Sequence, residues 1–352
     1  MKIDFELLAT TCKLAGTSGY EQRVREFVIN TVSPFADKVY TDHIGNVIAV
    51  KKGKSDKHRL MLAAHMDEIG FLVTHIDKRG FLRFHTIGGF DPKTLTSQRV
   101  IVHGKKDILG VMGSKPIHVM TAEELGKKLE TTHFFIDTGL PYEEVVKYIS
   151  VGDTITRVGD LMPLGDCVNG KSLDNRIAVY VLLEYFREMK NQQPDYDVYA
   201  AFTVQEEVGL RGVQVATLHI NPDFGINLDT TIAYDVADAK DEEMITRLGE
   251  GTAIKVMDSS VICDYRMLAF LKELAQKENI RWQAEVLPRG GTDTAGIQRF
   301  ALDGGCITGA LSIPTRHIHQ TVETVHRDDV RATIELLKAA TMHIAGYNWD
   351  FR

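Results

Sequence analysis

The sequence predicts an α/β fold: an α/β/α layer built on a mixed central sheet, interrupted by an inserted, mostly β module. Three observations predict it. Helical and strand periodicities alternate up to about residue 68 and again from about residue 165. Between them, short strand-like runs follow one another with a single helix-like stretch. The 352 residues, at a typical ~150 per domain, suit about two domains. The expected division is 1–68 with 165–352 as one discontinuous domain and 69–164 as the insert.

In chain order, Asp4 to Ala15 and Glu21 to Val32 place apolar residues at helical spacing, with the Gly-Thr-Ser-Gly break at 16–19 between them. NVIAVKK (46–52) and RLMLAAH (59–65) read as strands joined by a polar turn. The insert supplies FLVTHID, FLRFHT, QRVIVHG, ILGVMG and DTITRV as short strands, and TAEELGKKLE (121–130) as its one helix-like stretch. Leu173 to Met189 then reads as a helix, and VYAAFTV (198–204) and FGINLD (224–229) as buried strands. Val261 to Glu278 and His326 to Ala345 read as amphipathic helices, the second with Asp328 and Asp329 at its positive dipole end.

Composition narrows the class. Hydrophobic residues make up 44% and charged residues 25%, which excludes disordered and collagen-like chains. A net charge of -7 without a long Lys/Arg block argues against nucleic-acid and anionic-membrane partners. No apolar run is long enough to span a bilayer, and acidic residues break the first apolar stretch, unlike a signal peptide. Cys12, Cys167, Cys263 and Cys306 lie far apart. They read as reduced thiols of a cytoplasmic protein.

Several polar clusters stand at element boundaries. His65 and Asp67 are i and i+2 at a strand end, so they can share a face, and a carboxylate can fix the tautomer of a metal-bound imidazole. Asp174 opens a helix, where it is either a first-turn carboxylate or a bridge between cations. Glu206 and Glu207 follow a buried strand, where one can bind metal and the other can move protons. Asp229 ends the next strand, as a cap or a ligand. His317 and His319 form a second i, i+2 pair.

Read singly, each has a plain structural role. Together, His65, Asp174, Glu207, Asp229 and His319 are two imidazoles and three carboxylates in the α/β part of the chain, none in the insert. Such a set without cysteine suits Zn2+, Co2+ or Mn2+ and can hold two ions about 3.5–4 Å apart.

The motifs AHMDEIG (64–70), SLDNR (172–176), VQEEVGLRG (204–212), NLD (227–229), GTDTAG (291–296) and RHIHQ (316–320), in this order, resemble the M42 family of metallo-aminopeptidases. The resemblance covers essentially the whole chain. It implies two divalent ions per subunit, zinc or cobalt with manganese also suited. Asp174 would bridge them, His65 and Asp229 would complete one site, and Glu207 and His319 the other. Glu206 matches the general base and Asp67 the carboxylate supporting His65. His317 stands where relatives often carry tyrosine.

The resemblance further implies peptide substrates, a PDZ-like or barrel-like insert serving dimerisation, and dimers that assemble to a dodecamer. Arg289, Gly291, Thr292 and Asp293 are the substrate-binding candidates. Charges at Arg247, Lys255, Asp258 and Arg289 offer both signs near that pocket or are solvated surface groups, and basic ones would suit acidic N-terminal residues. The competing readings are an M20/M28-like carboxypeptidase or deacylase and an inactive metal-bound scaffold that binds peptides.

Overall fold

Strands covered on both faces show as uninterrupted apolar runs, and the runs near residues 47–51, 59–65, 198–204 and 224–229 lie side by side in the computed structural model, which describes residues 3–351. The large sheet has eleven strands. Its order is Lys38–Thr41, Val47–Lys51, Tyr196–Thr203, Ser55–His65, Phe224–Ile232, Ile307–Arg316, Glu323–His326, Cys167–Gly170 and Met162–Leu164, with Thr252–Met257 on Ile307–Arg316 and Trp282–Val286 beyond it. The four middle strands from Tyr196–Thr203 to Ile307–Arg316 run parallel. Their flanks are antiparallel, so the sheet is mixed.

Helices cover both faces. On one face, Leu8, Val24, Val28, Ile177, Val181, Leu271 and Leu337 pack into the main core. The other face is closed by Val213, Ala216, Ile220 and Ile297 from helices Arg211–Ile220 and Thr294–Phe300. The helix Leu173–Glu188 is buried along almost its whole length, which suits the unbroken apolar run IAVYVLL (177–183) at its middle.

A second sheet closes into a six-strand antiparallel barrel, ordered Gly70–Ile76, Leu82–Ile87, Phe134–Asp137, Asp107–Ser114, Arg99–His103 and Thr154–Arg157. Phe71, Val73, Leu82, Val100, Val102, Ile136 and Ile155 fill it. The chain leaves the large sheet after His65 and re-enters it at Met162–Leu164, which hairpins onto Cys167–Gly170.

Three expectations are corrected. The helix-like stretch 121–130 is helical only over Ala122–Leu125, where Gly126 ends it, and it buries no residue. The real helix of that region is Tyr142–Tyr148, pinned by buried Val145. The polar turn after residue 52 is shorter than read, since the strand starts at Ser55 with exposed residues before its apolar half. The helix expected from Val261 starts at Tyr265, capped by the Asp264 side chain.

An acid-sensitive tie joins two helices. Glu188 accepts from Arg331 Nη1 at 2.5 Å and Lys338 Nζ at 2.6 Å. Burial alone would raise its carboxyl, but these two cations overcome it and hold it at about 2. The folded value lies below the unfolded one, so the contribution is full above the unfolded value and is lost as pH falls toward the folded one. Glu188→Gln is therefore expected to narrow the drop in melting temperature between neutral pH and about pH 3. An unchanged drop in that variant would discount the tie.

Candidate metal centre

The parallel strands deliver their carboxyl ends to one edge, where open α/β sheets expose their sites. His65 ends its strand in register with Thr203 of the neighbour, and Glu206 and Glu207 follow that neighbour after Gln205, whose φ is 56°. Asp229 lies on the next parallel strand, opposite Ser312. Asp174 sits in the first turn of the long helix after Ser172 at φ 56°. His319 lies in the turn beyond Ile307–Arg316, at φ 61°. The five ligand candidates and Glu206, scattered over 255 positions of sequence (65 to 319), thus meet at one place.

Asp174 is central. Its Oδ1 lies 3.4 Å from His65 Nε2 and its Oδ2 lies 3.1 Å from His319 Nε2. His65 Nε2 also stands 3.8 Å from Asp229 and 3.9 Å from Glu206. His319 Nε2 stands 3.4 Å from Glu207 Oε2. Two ligand-like groups emerge, His65 with Glu206 and Asp229, and His65 with Asp174 and Glu207. The adjacent glutamates diverge, one toward His65 and Asp229, the other toward His319. His317 is exposed and lines the cleft.

Buried polar groups hold these side chains. Asp67 Oδ1 is 3.3 Å from His65 Nδ1, and the Asp67 backbone carbonyl is 3.2 Å from the same nitrogen. The Asp67 carboxylate also accepts the backbone N–H groups of Glu206 (3.0 Å) and Glu207 (3.2 Å) and the Ser18 hydroxyl at 2.6 Å. One carboxylate therefore orients the histidine and fixes the glutamate turn. Glu21 accepts the Gln205 N–H at 3.2 Å.

Glu323 accepts the N–H groups of Asp174 and His319. Glu68 binds Lys171 Nζ at 2.7 Å and the Ser172 hydroxyl, joining the strand end to the helix start. Sequence reasoning missed Ser18, Glu21 and Glu323. For Glu323 the available signal was a lone acid opening a short β-branched run four residues after His319.

The electrostatics favour a cation. Burial pushes the carboxyls of Glu206 and Glu207 up, and Asp229 to about 8, helped in each case by neighbouring carboxylates. Burial likewise works on Asp174, but His319 and His65 override it and hold that carboxyl below the usual range. The imidazoles are raised by the same acids against their burial, His319 to about 11. Among the described residues no lysine or arginine pairs with these four carboxylates. Glu207 Oε1 is buried without a hydrogen-bond partner. Unpaired buried charge is costly, and this donor set, imidazole and carboxylate without thiolate, fits Zn2+, Co2+ or Mn2+.

The centre opens into a cleft of about 790 Å3. Arg289, Gly291 and Thr292 line it, together with Ile232, Tyr234 and Leu287. Asp293 lies beneath the wall, 1% exposed, accepting the Thr203 hydroxyl at 2.5 Å. Lys255 and Asp258 are neither in the cleft nor solvated. Both are buried, with Lys255 paired to Glu285 and Thr292 bonded to Asp258. Arg247 is exposed and faces Asp241. Of the four charges read near the pocket, only Arg289 reaches it.

Known proteins are similar to this chain in sequence and in fold. The family model described as M42 glutamyl aminopeptidase matches residues 45–336. A lysyl aminopeptidase of Pyrococcus furiosus is 35% identical over 345 residues, covering 96% of each chain. The TET aminopeptidase from the marine sediment archaeon Thaumarchaeota archaeon SCGC AB-539-E09 superposes with a TM-score of 0.93 at 35% identity, again over 96% of each chain. The TET1 peptidase of Pyrococcus horikoshii, which can assemble into a tetrahedron or a large octahedral shell, gives 0.85 at 32% identity, over 96% of this chain and 98% of its own.

Sequence and fold thus belong to a class of hydrolases that remove N-terminal residues from peptides. The chain is a member of the M42 family of aminopeptidases.

Proposed function

We propose that the protein is a binuclear metallo-aminopeptidase. One observation carries this: the two oxygens of Asp174 face different imidazoles, those of His65 and His319. Asp174 would hold both ions, His65 and Asp229 would complete one site, and Glu207 and His319 the other. Zinc or cobalt fits this set, and manganese is also suited.

Bound ions would polarise the scissile carbonyl and lower the pKa of water toward neutrality. Glu206, fixed through its N–H by Asp67, takes the proton of the attacking water and returns it to the leaving amine. Asp67 keeps His65 in one tautomer and orientation. The free α-amino group of the peptide rests among the carboxylates, which restricts cleavage to one terminal residue. Arg289, Gly291, Thr292 and the underlying Asp293 shape the pocket for that residue.

The assembly reading follows the TET relatives: dimers formed through the insert (69–164), with 1–68 and 165–352 as the catalytic domain, built up to a dodecamer. All four cysteines are free, which supports a cytoplasmic location. Among the described residues no helix is long and apolar enough to cross a membrane.

Stripping the protein with a chelator is expected to abolish hydrolysis of aminoacyl-p-nitroanilides, and Zn2+, Co2+ or Mn2+ should restore it. Full turnover by protein shown metal-free by elemental analysis would refute the mechanism. Cleavage of N-acylated but not free-amine peptides would favour the deacylase reading instead.

A further inference from the structure

The barrel meets the large sheet beside His319, and it does so with buried polar groups. Arg157, the last residue of a barrel strand, is 2% exposed and donates from Nη1 to the backbone carbonyl of Gln320. Gln98, just before another barrel strand, is 5% exposed and donates to the Thr321 hydroxyl at 2.6 Å. Both contacts land on the turn that carries His319. In that turn His317 and His319 have φ values of 64° and 61°, a region that side-chain-bearing residues rarely enter, so the turn needs outside support.

Gly89, in the loop after the barrel strand Leu82–Ile87, completes the enclosure. A Cβ there would stand 3.2 Å from His319 Nδ1. From the opposite side, Glu323 Oε1 accepts the His319 N–H at 3.0 Å, and its Oε2 accepts the Asp174 N–H at 2.8 Å. A chain of contacts therefore runs from the barrel through the 317–321 turn to Glu323 and Asp174.

We propose that the inserted barrel is a working part of the metal centre: Arg157, aided by Gln98, positions His319 against Asp174 and Glu207, with Glu323 tying that turn to the bridge. The proposal rests on the binuclear reading above. It gives the insert a task inside each subunit that is separate from assembly. Arg157 is a positioning residue, since it reaches the site only through the turn.

The test uses full-length protein stripped of metal and titrated with Co2+, followed by visible absorption and calorimetry. Arg157→Met is expected to leave the first equivalent unchanged and to weaken the second by about 10–100-fold, the usual cost of losing a residue that orients a ligand. The Co2+ spectrum of the second site should change, and kcat should fall more than KM rises. Arg157→Lys, which keeps a cation and one donor, should recover part of the loss. Gln98→Leu should weaken the same equivalent by a smaller factor, and it decides the matter if Arg157→Met does not fold.

Wild-type affinity for both equivalents in Arg157→Met, or in Gln98→Leu where it must stand in, would overturn the proposal. Equal weakening of both equivalents would overturn it too, because that is what general loosening produces. A wild-type protein that binds fewer than two ions would instead bring down the binuclear reading itself.

Discussion

Glu206→Gln is expected to keep both metal equivalents and to lower kcat by about 10²–10⁴-fold, the usual worth of a positioned general base. The amide has the shape of the carboxylate and leaves the backbone N–H of residue 206 on Asp67, so the turn should hold while proton acceptance is lost. The Glu206 carboxyl stands 3.9 Å from His65 Nε2 and groups with His65 and Asp229 as a set that could hold an ion. Metal analysis of the variant therefore decides between two roles. Loss of one equivalent would make Glu206 a ligand, and a near-normal rate with full metal would remove it as the base.

Asp174→Ala should empty both sites at once. Its two oxygens face the two imidazoles, and among the described residues no other carboxylate of the cluster lies within ion-pair distance of both. The substitution also leaves His65 and His319 without their shared partner, so a thermal melt must accompany the metal analysis. Two full equivalents bound by a folded Asp174→Ala protein would exclude the bridge, whereas loss of a single equivalent would confine Asp174 to one site.

Much of this candidate centre was legible in the sequence because ligand chemistry demands particular residue types at strand and helix ends. His65, Glu206, Glu207 and Asp229 follow or end apolar runs, and a polar residue there reads as a site candidate. His319 was less distinct, since His317 offers the same chemistry two positions away. The fold separates them: the 317–321 turn aims His319 at Asp174 and leaves His317 exposed on the cleft wall.

Two of the supporting carboxylates were not legible. Glu323 and Glu21 carry no motif of their own, and what makes them informative is burial against specific N–H groups. Lys255 and Asp258 show the reverse error. Their charges suggested a solvated or substrate-facing surface, but the ion pair with Glu285 neutralises Lys255 inside the protein. Within the barrel, the four-residue strand Phe134–Asp137 is too short to display a period, and the 121–130 segment kept helical spacing without any surface to bury.

The sequence by itself determined the α/β layering and the β insert, and it supplied the residue types of the candidate metal centre, since periodicity and ligand chemistry are local properties. Only the tertiary structure decided which groups meet. Closing the barrel set Arg157 and Gln98 against the His319 turn, and the parallel register brought His65 level with Thr203 just ahead of the glutamates. Such meetings depend on contacts between distant segments, where burial and hydrogen-bond geometry, rather than residue type, assign the role.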